Sequence, residues 1–151
     1  MNTIFKSIKR SREIYASYIE NYTLEQLNTI PDGLRNNLIW NIGHIVVSQQ
    51  RLAYLLSGNE TLISEEFTNK YVNGTIPDGN ATQEEVDEIK QLLFSTIEQT
   101  ILDYENGKFD NYTETQTRTG FLLTNIEEAM LFNHYHEGVH LGFMMKIKRF
   151  I

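Results

Sequence analysis

Four histidines, His44, His134, His136 and His140, are the residues of this chain best suited to chemistry. Three of them fall within one seven-residue stretch near the C-terminal end, and His44 stands alone. On an α-helix, residues four apart lie one turn apart on one face. His136 and His140 therefore present two imidazoles to the same side, a spacing that can hold one divalent metal ion. His134 sits about 200° around the helix from His136, so it points away and is expected to be a surface or locally hydrogen-bonded histidine. A third ligand must come from elsewhere in the fold, and His44 is the only histidine left to supply it. The chain has no cysteine. That excludes a disulfide scaffold, a Cys-ligated zinc or iron–sulfur site, and any cysteine nucleophile of the protein's own.

The string His136-Glu137-Gly138-Val139-His140 also spells H-E-x-x-H, in which the Glu is the general base of a zinc protease. Such proteases take their third ligand downstream. None of the eleven residues after His140 is His, Asp or Glu, and no convincing edge strand is available to hold a peptide. Protease activity is therefore not expected. Glu137 lies within about 60° of His140 around the helix, so it stays the candidate catalytic residue, as a base or as a group supporting the ligands.

The elements that must position these residues read as helices. Apolar periodicity predicts helices near residues 3–20, 34–57, 82–106 and 124–149. The first carries Phe5, Ile8, Arg12, Tyr15 and Tyr18 at helical spacing, and Thr23 after it is a candidate N-cap. The second ends at Gly58-Asn59. Capping boxes are expected at Thr82 with Glu85 and at Thr124 with Glu127. Residues 59–80 and 108–123 read as long connections, the second with a short extended piece. Only two prolines and nine glycines leave room for long helices. The fold class expected is all-α: one domain, residues 1–151, built as a four-helix bundle with long crossover connections.

Facing stripes then bring the histidines together. Asn37, Trp40/Asn41, His44, Val47/Ser48 and Arg51 form one stripe of the second helix. Ile126, Met130, Asn133, His136/Glu137, His140, Met144 and Ile147 form the matching stripe of the last. Both are apolar at the ends and polar in the middle. Polar groups buried there cost free energy unless they bond to something, and a metal ion would satisfy three imidazoles at once. The competing reading is that a His pair at this spacing arises by chance and binds nothing. Trp40, Tyr54, Met130 and Met144 read first as core. Asn133 is a candidate partner for an imidazole N–H. Arg51 is expected either to bind an anionic substrate or to reach solvent.

Composition narrows the partners. The chain has 20 acidic against 13 basic residues, a net charge of −7, so no nucleic-acid footprint is present. No apolar run approaches the roughly 18 residues a membrane helix needs. The opening MNTIFKSIKRSREIY places charges where a signal peptide needs an apolar stretch. A cytoplasmic protein acting on a small molecule, without nucleic acid or membrane, is expected. The apolar Phe150-Ile151 end suggests a homodimer.

Two motifs carry a family resemblance. Asn37-Leu38-Ile39-Trp40-Asn41-Ile42-Gly43-His44-Ile45 has a Trp followed four residues later by His, and His136 to Gly142 reads H-x-x-x-H-L-G. On these, with Thr119-Gly120 before the last helix, the chain resembles the DinB-like (DinB/YfiT) superfamily of four-helix-bundle metalloenzymes, which includes bacillithiol-transferase-like proteins. The resemblance implies one divalent ion, nickel or zinc, held by His44, His136 and His140. It also implies a small-molecule thiol S-transferase that uses a low-molecular-weight thiol as co-substrate. Many members carry Gln after H-L-G, where this chain has Phe143. The family name implies no DNA contact. A metal-dependent hydrolase and a non-catalytic, stress-associated metal-binding protein are the alternatives.

Overall fold

A computed structural model describes all residues, Met1–Ile151. Four long helices, α1 (Asn2–Asn21), α3 (Leu38–Ala53), α5 (Gln83–Glu105) and α6 (Ile126–Ile147), form the bundle. Two short helices, α2 (Leu24–Asn28) and α4 (Glu65–Tyr71), lie in the connections, with a 3₁₀ turn at Leu55–Ser57 after α3. Strands β1 (Thr115–Gln116) and β2 (Leu122–Leu123) pair as a small antiparallel hairpin. Helix α3 packs beside α6 and α5, and α1 packs beside the same two, so α1 and α3 sit on opposite corners. No helix is long and apolar enough to cross a membrane.

Caps explain where the helices start. The predicted second helix begins four residues late, because Asn37 turns its side chain to accept from Trp40 N at 2.9 Å and becomes the N-cap of α3. Thr23 caps α2 with both bonds of a capping box to Gln26. At α5 only half of the expected box forms. Thr82 accepts from Glu85 N at 3.3 Å, but the Glu85 carboxylate turns instead to Lys70 and Tyr71 of α4. The start of α6 is a correction by one residue. Asn125, not Thr124, is the cap, accepting from Glu128 N at 3.0 Å. Glu128 then reaches back to Thr124 N at 2.7 Å, while Glu127 accepts from Tyr104.

The core falls into two apolar clusters along the bundle. Trp40, Ile42, Val46, Ile89, Leu93, Met144 and Ile147 belong to one. Phe5, Ile8, Tyr54, Ile97, Phe109, Leu123 and Met130 belong to the other. At about 25 cal/mol per Å² of apolar surface removed from water, such side chains each contribute about 1.5–3 kcal/mol. Of the C-terminal pair, Phe150 is exposed, and Ile151 is partly buried against the core.

Helix α4, not expected from the sequence, matters for the site. Its Tyr71 ring packs closely against Gly43 of α3. A Cβ added at Gly43 would meet the Tyr71 ring carbons at 2.5 to 2.8 Å. Glycine at this position lets α4 approach α3 one residue before His44.

Candidate metal centre

His44 comes from the middle of α3, and His136 and His140 from one face of α6. Their ring centroids are 5.3 Å (His44–His136), 4.8 Å (His44–His140) and 4.6 Å (His136–His140) apart. One candidate ligand nitrogen from each lies within 4.8 Å of the others. Residues of α3 and α4 orient the rings. The main-chain carbonyl of Tyr71 accepts from His44 Nδ1 at 2.7 Å, which leaves Nε2 as the acceptor nitrogen. Ser48 Oγ lies 3.2 Å from that Nε2 and donates to it. Asn41 Oδ1 accepts from His140 Nδ1 at 2.8 Å. The Asn41 amide cannot turn over, because its Nδ2 donates to Asn37 O at 2.7 Å and to Asn36 Oδ1 at 3.1 Å. Trp40 stacks on His44 with centroids 4.7 Å apart and planes 7° from parallel, and its own N–H is satisfied by Thr75 Oγ1.

Electrostatics keep the cluster neutral. Burial lowers the His44 pKa, against a smaller upward pull from the Tyr71 carbonyl. Burial, then His44, lowers His136 to about 4. Burial, then His136 and His44, lowers His140 to about 3. Neutral imidazole is the form that ligates a metal. His136 Nδ1 is buried without a partner. Converging lone pairs, an orphaned nitrogen, and two rings held by oxygen acceptors on their far sides are the donor set a divalent ion requires. The cluster is able to hold one.

The three imidazoles open onto a cavity of about 520 Å³. Its walls come from α3, from α6 and from the β1–β2 hairpin, including Ser48, Arg51, Arg118, Phe132 and Phe143. The hairpin is pinned to α6 by Phe121, which packs on Phe132 and Tyr135 at 5.3 Å each.

A profile of the DinB superfamily matches residues 7–144. The chain belongs to the DinB superfamily. A solved structure, a conserved protein from Enterococcus faecalis, is similar over 99% of this chain and 95% of its own, with a TM-score of 0.60 and 17% identity. At that identity the likeness speaks for the fold. No curated protein matches the chain.

Not every residue singled out in this DinB-superfamily sequence lies at the centre. Glu137 is fully buried on the neighbouring face of α6 and is not among the residues lining the cavity. Its Oε1 accepts from Arg12 Nη2 at 2.7 Å, Arg12 Nε at 3.1 Å and Asn133 Nδ2 at 2.9 Å. There it forms a buried ion pair with Arg12 of α1. Asn133 serves Glu137, not an imidazole. His134 bonds to Ser7 Oγ at 3.0 Å on the α1 side. Arg51 lines the cavity. Asn41 and the Tyr71 carbonyl, which orient the rings, were not assigned that work from sequence. Asn41 was visible as an amide three residues before His44 on the same stripe, whereas a main-chain carbonyl leaves no sequence signal.

Proposed function

We propose that this protein is a metal-dependent enzyme that holds one divalent ion, nickel or zinc, through His44, His136 and His140, and transfers a small thiol to an electrophilic carbon. The observation that supports this reading is the trio of neutral imidazoles at the wall of a cavity large enough for a small molecule. A divalent ion with open positions supplies ionisation of a bound thiol near neutral pH. The chain's own residues do the rest. Tyr71 and Asn41 fix the tautomers of His44 and His140. Trp40, Phe132 and Phe143 form apolar wall around the reacting groups. In the transfer, the thiol proton leaves to solvent, sulfur forms the new bond to carbon, and the leaving group departs with the electron pair.

The preference for transfer over hydrolysis rests on the family resemblance: the cavity wall carries no Asp or Glu, and a divalent ion held by three histidines would ionise water as well as a thiol. Glu137 enters as a positioning group that fixes α6 against α1. Self-association belongs to the same proposal: Leu131, Tyr135 and Val139 leave an apolar strip of α6 exposed, and sedimentation velocity reads the dimer.

The test is a panel of thiols and electrophiles assayed with metal-loaded and metal-free protein. Thiol and electrophile should be consumed one for one, only with metal. Ester hydrolysis without thiol would favour the hydrolase, and stoichiometric metal with no turnover would favour a binding protein.

A further inference from the structure

The cavity is charged against the trend of the chain. The protein has seven more acidic than basic residues, yet its cavity walls carry Arg51 and Arg118 and no carboxylate. Both side chains are exposed, and neither guanidinium is among the cations within ion-pair distance of an Asp or Glu. Neither side chain donates a hydrogen bond within the protein. Two unpartnered cations at one concave surface create a local positive field that low-dielectric walls concentrate.

Their positions are set by rigid elements. Arg51 follows His44 by two turns on α3, about 10 Å along the axis at 1.5 Å per residue. Arg118 sits at the tip of the hairpin. There Gly120 N bonds to Thr117 O at 3.0 Å, and Gly120 adopts φ +90, where a side chain would be strained. Thr117 Oγ1 also accepts from Phe121 N at 2.9 Å. Arg118 is thus carried by a hydrogen-bonded turn whose neighbour Phe121 is anchored on α6. A guanidinium presents paired N–H groups that match the oxygens of a carboxylate or phosphate.

We infer that Arg51 and Arg118 form an oxyanion-binding subsite for the tail of a small anionic substrate whose reacting head lies at the histidines. This rests on the proposed metal function only for the identity of the head; the anion subsite stands on the arginines. The ligand class is a molecule with a carboxylate or phosphate several bonds from its metal-binding group. A neutral analogue lacks the negative charge that competes with water for the two guanidinium groups.

The first arm of the test uses metal-free protein. Succinate, inorganic phosphate and the neutral succinamide are titrated while the side-chain Nε–H resonances of arginine are followed by NMR. Succinate or phosphate should shift the Arg51 and Arg118 signals and bind at least fivefold more tightly than succinamide. Preference between the two anions separates carboxylate from phosphate as the natural group. Arg51→Gln and Arg118→Gln should each weaken the anion at least fivefold, while Lys9→Gln, an equal loss of charge on the α1 surface, should not. Equal binding of succinate and succinamide, or arginine variants that behave like Lys9→Gln, would overturn the inference. The second arm uses nickel-loaded protein, which should bind succinic monohydroxamate at least tenfold more tightly than acetohydroxamate. If nickel fails to bind, the metal reading falls and the first arm still decides the subsite.

Discussion

Helix α6 carries two buried polar clusters on adjacent faces, and they solve the same problem in opposite ways. Toward α1, Glu137 and Asn133 meet Arg12 in an ion pair whose side chains are fully buried. Toward α3, His136 and His140 meet His44 with no counter-charge at all. In the first cluster the opposite charges neutralise each other inside the protein, and Tyr15 ties the Glu137 carbonyl down at 2.6 Å. In the second, every ring is neutral and the outer nitrogens of His44 and His140 already donate to oxygens. What remains are acceptor nitrogens facing one another, with only the Ser48 hydroxyl beside the one on His44, and a single cation would satisfy them together. One residue of helix register, Glu137 beside His136, separates a buried ion pair from a cluster able to hold a metal ion.

The largest expected effect is on metal affinity. With three ligands and an apparent binding free energy near 10 kcal/mol or more for such sites, His44→Ala, His136→Ala or His140→Ala should each weaken binding on the order of 10³-fold. Stability of the metal-free variants should change little by comparison. Isothermal titration and chemical denaturation read the two quantities separately.

The reverse pattern is expected on the other face. Glu137→Ala or Arg12→Ala leaves a buried charge uncompensated and should cost about 3–5 kcal/mol of stability. Metal stoichiometry of the folded fraction should stay at the wild-type level. The double variant Arg12→Met, Glu137→Leu should recover most of that stability, since a paired loss leaves no orphaned charge. If it does not, packing rather than charge governs the cluster. Urea denaturation measures all three.

A smaller effect is expected at Asn41, which holds one ring and ligates nothing. Asn41→Ala should weaken metal binding roughly 10–100-fold, between the ligand variants and His134→Ala, for which no change is expected. An Asn41 variant with wild-type affinity would show that His140 needs no outer partner.

The smallest effect is a pH dependence of the metal-free protein. The folded-state pKa values of the three histidines are lowered, to about 4 at His136 and about 3 at His140. The unfolded chain takes up protons near pH 6.5, so it binds more protons than the folded chain below that pH. Stability must then fall as pH drops from about 6.5 toward 4. A His136→Asn, His140→Asn variant should show a shallower acid slope in thermal unfolding. Identical slopes would mean the cluster is not kept neutral by burial.

The sequence made the bundle and the histidine trio readable because both rest on helical period. Apolar spacing set the four long helices to within a few residues, and the i, i+4 pair with His44 on a matching stripe needed no knowledge of the loops. The ion pair was half visible: Arg12 sat on an apolar stripe, a place where a charge requires a partner, but its partner lay on another helix 125 residues away. Helix α4 was missed because it is only seven residues long, too short for periodicity to register. With it went the Tyr71 carbonyl and the reason for Gly43. The Asn125 cap was misassigned because Thr124 and Asn125 are adjacent capping residues, each followed three residues later by Glu, and the backbone alone chooses between them.

The account turns on which face of α6 binds metal, and one titration addresses it directly. Metal-free wild type, His136→Ala and Glu137→Gln are titrated with nickel or zinc at pH 7.5, counting ions bound per folded chain. The structure predicts one ion for wild type, one ion at wild-type affinity for Glu137→Gln, and none at comparable concentrations for His136→Ala. Loss of the ion in Glu137→Gln with retention in His136→Ala would contradict it.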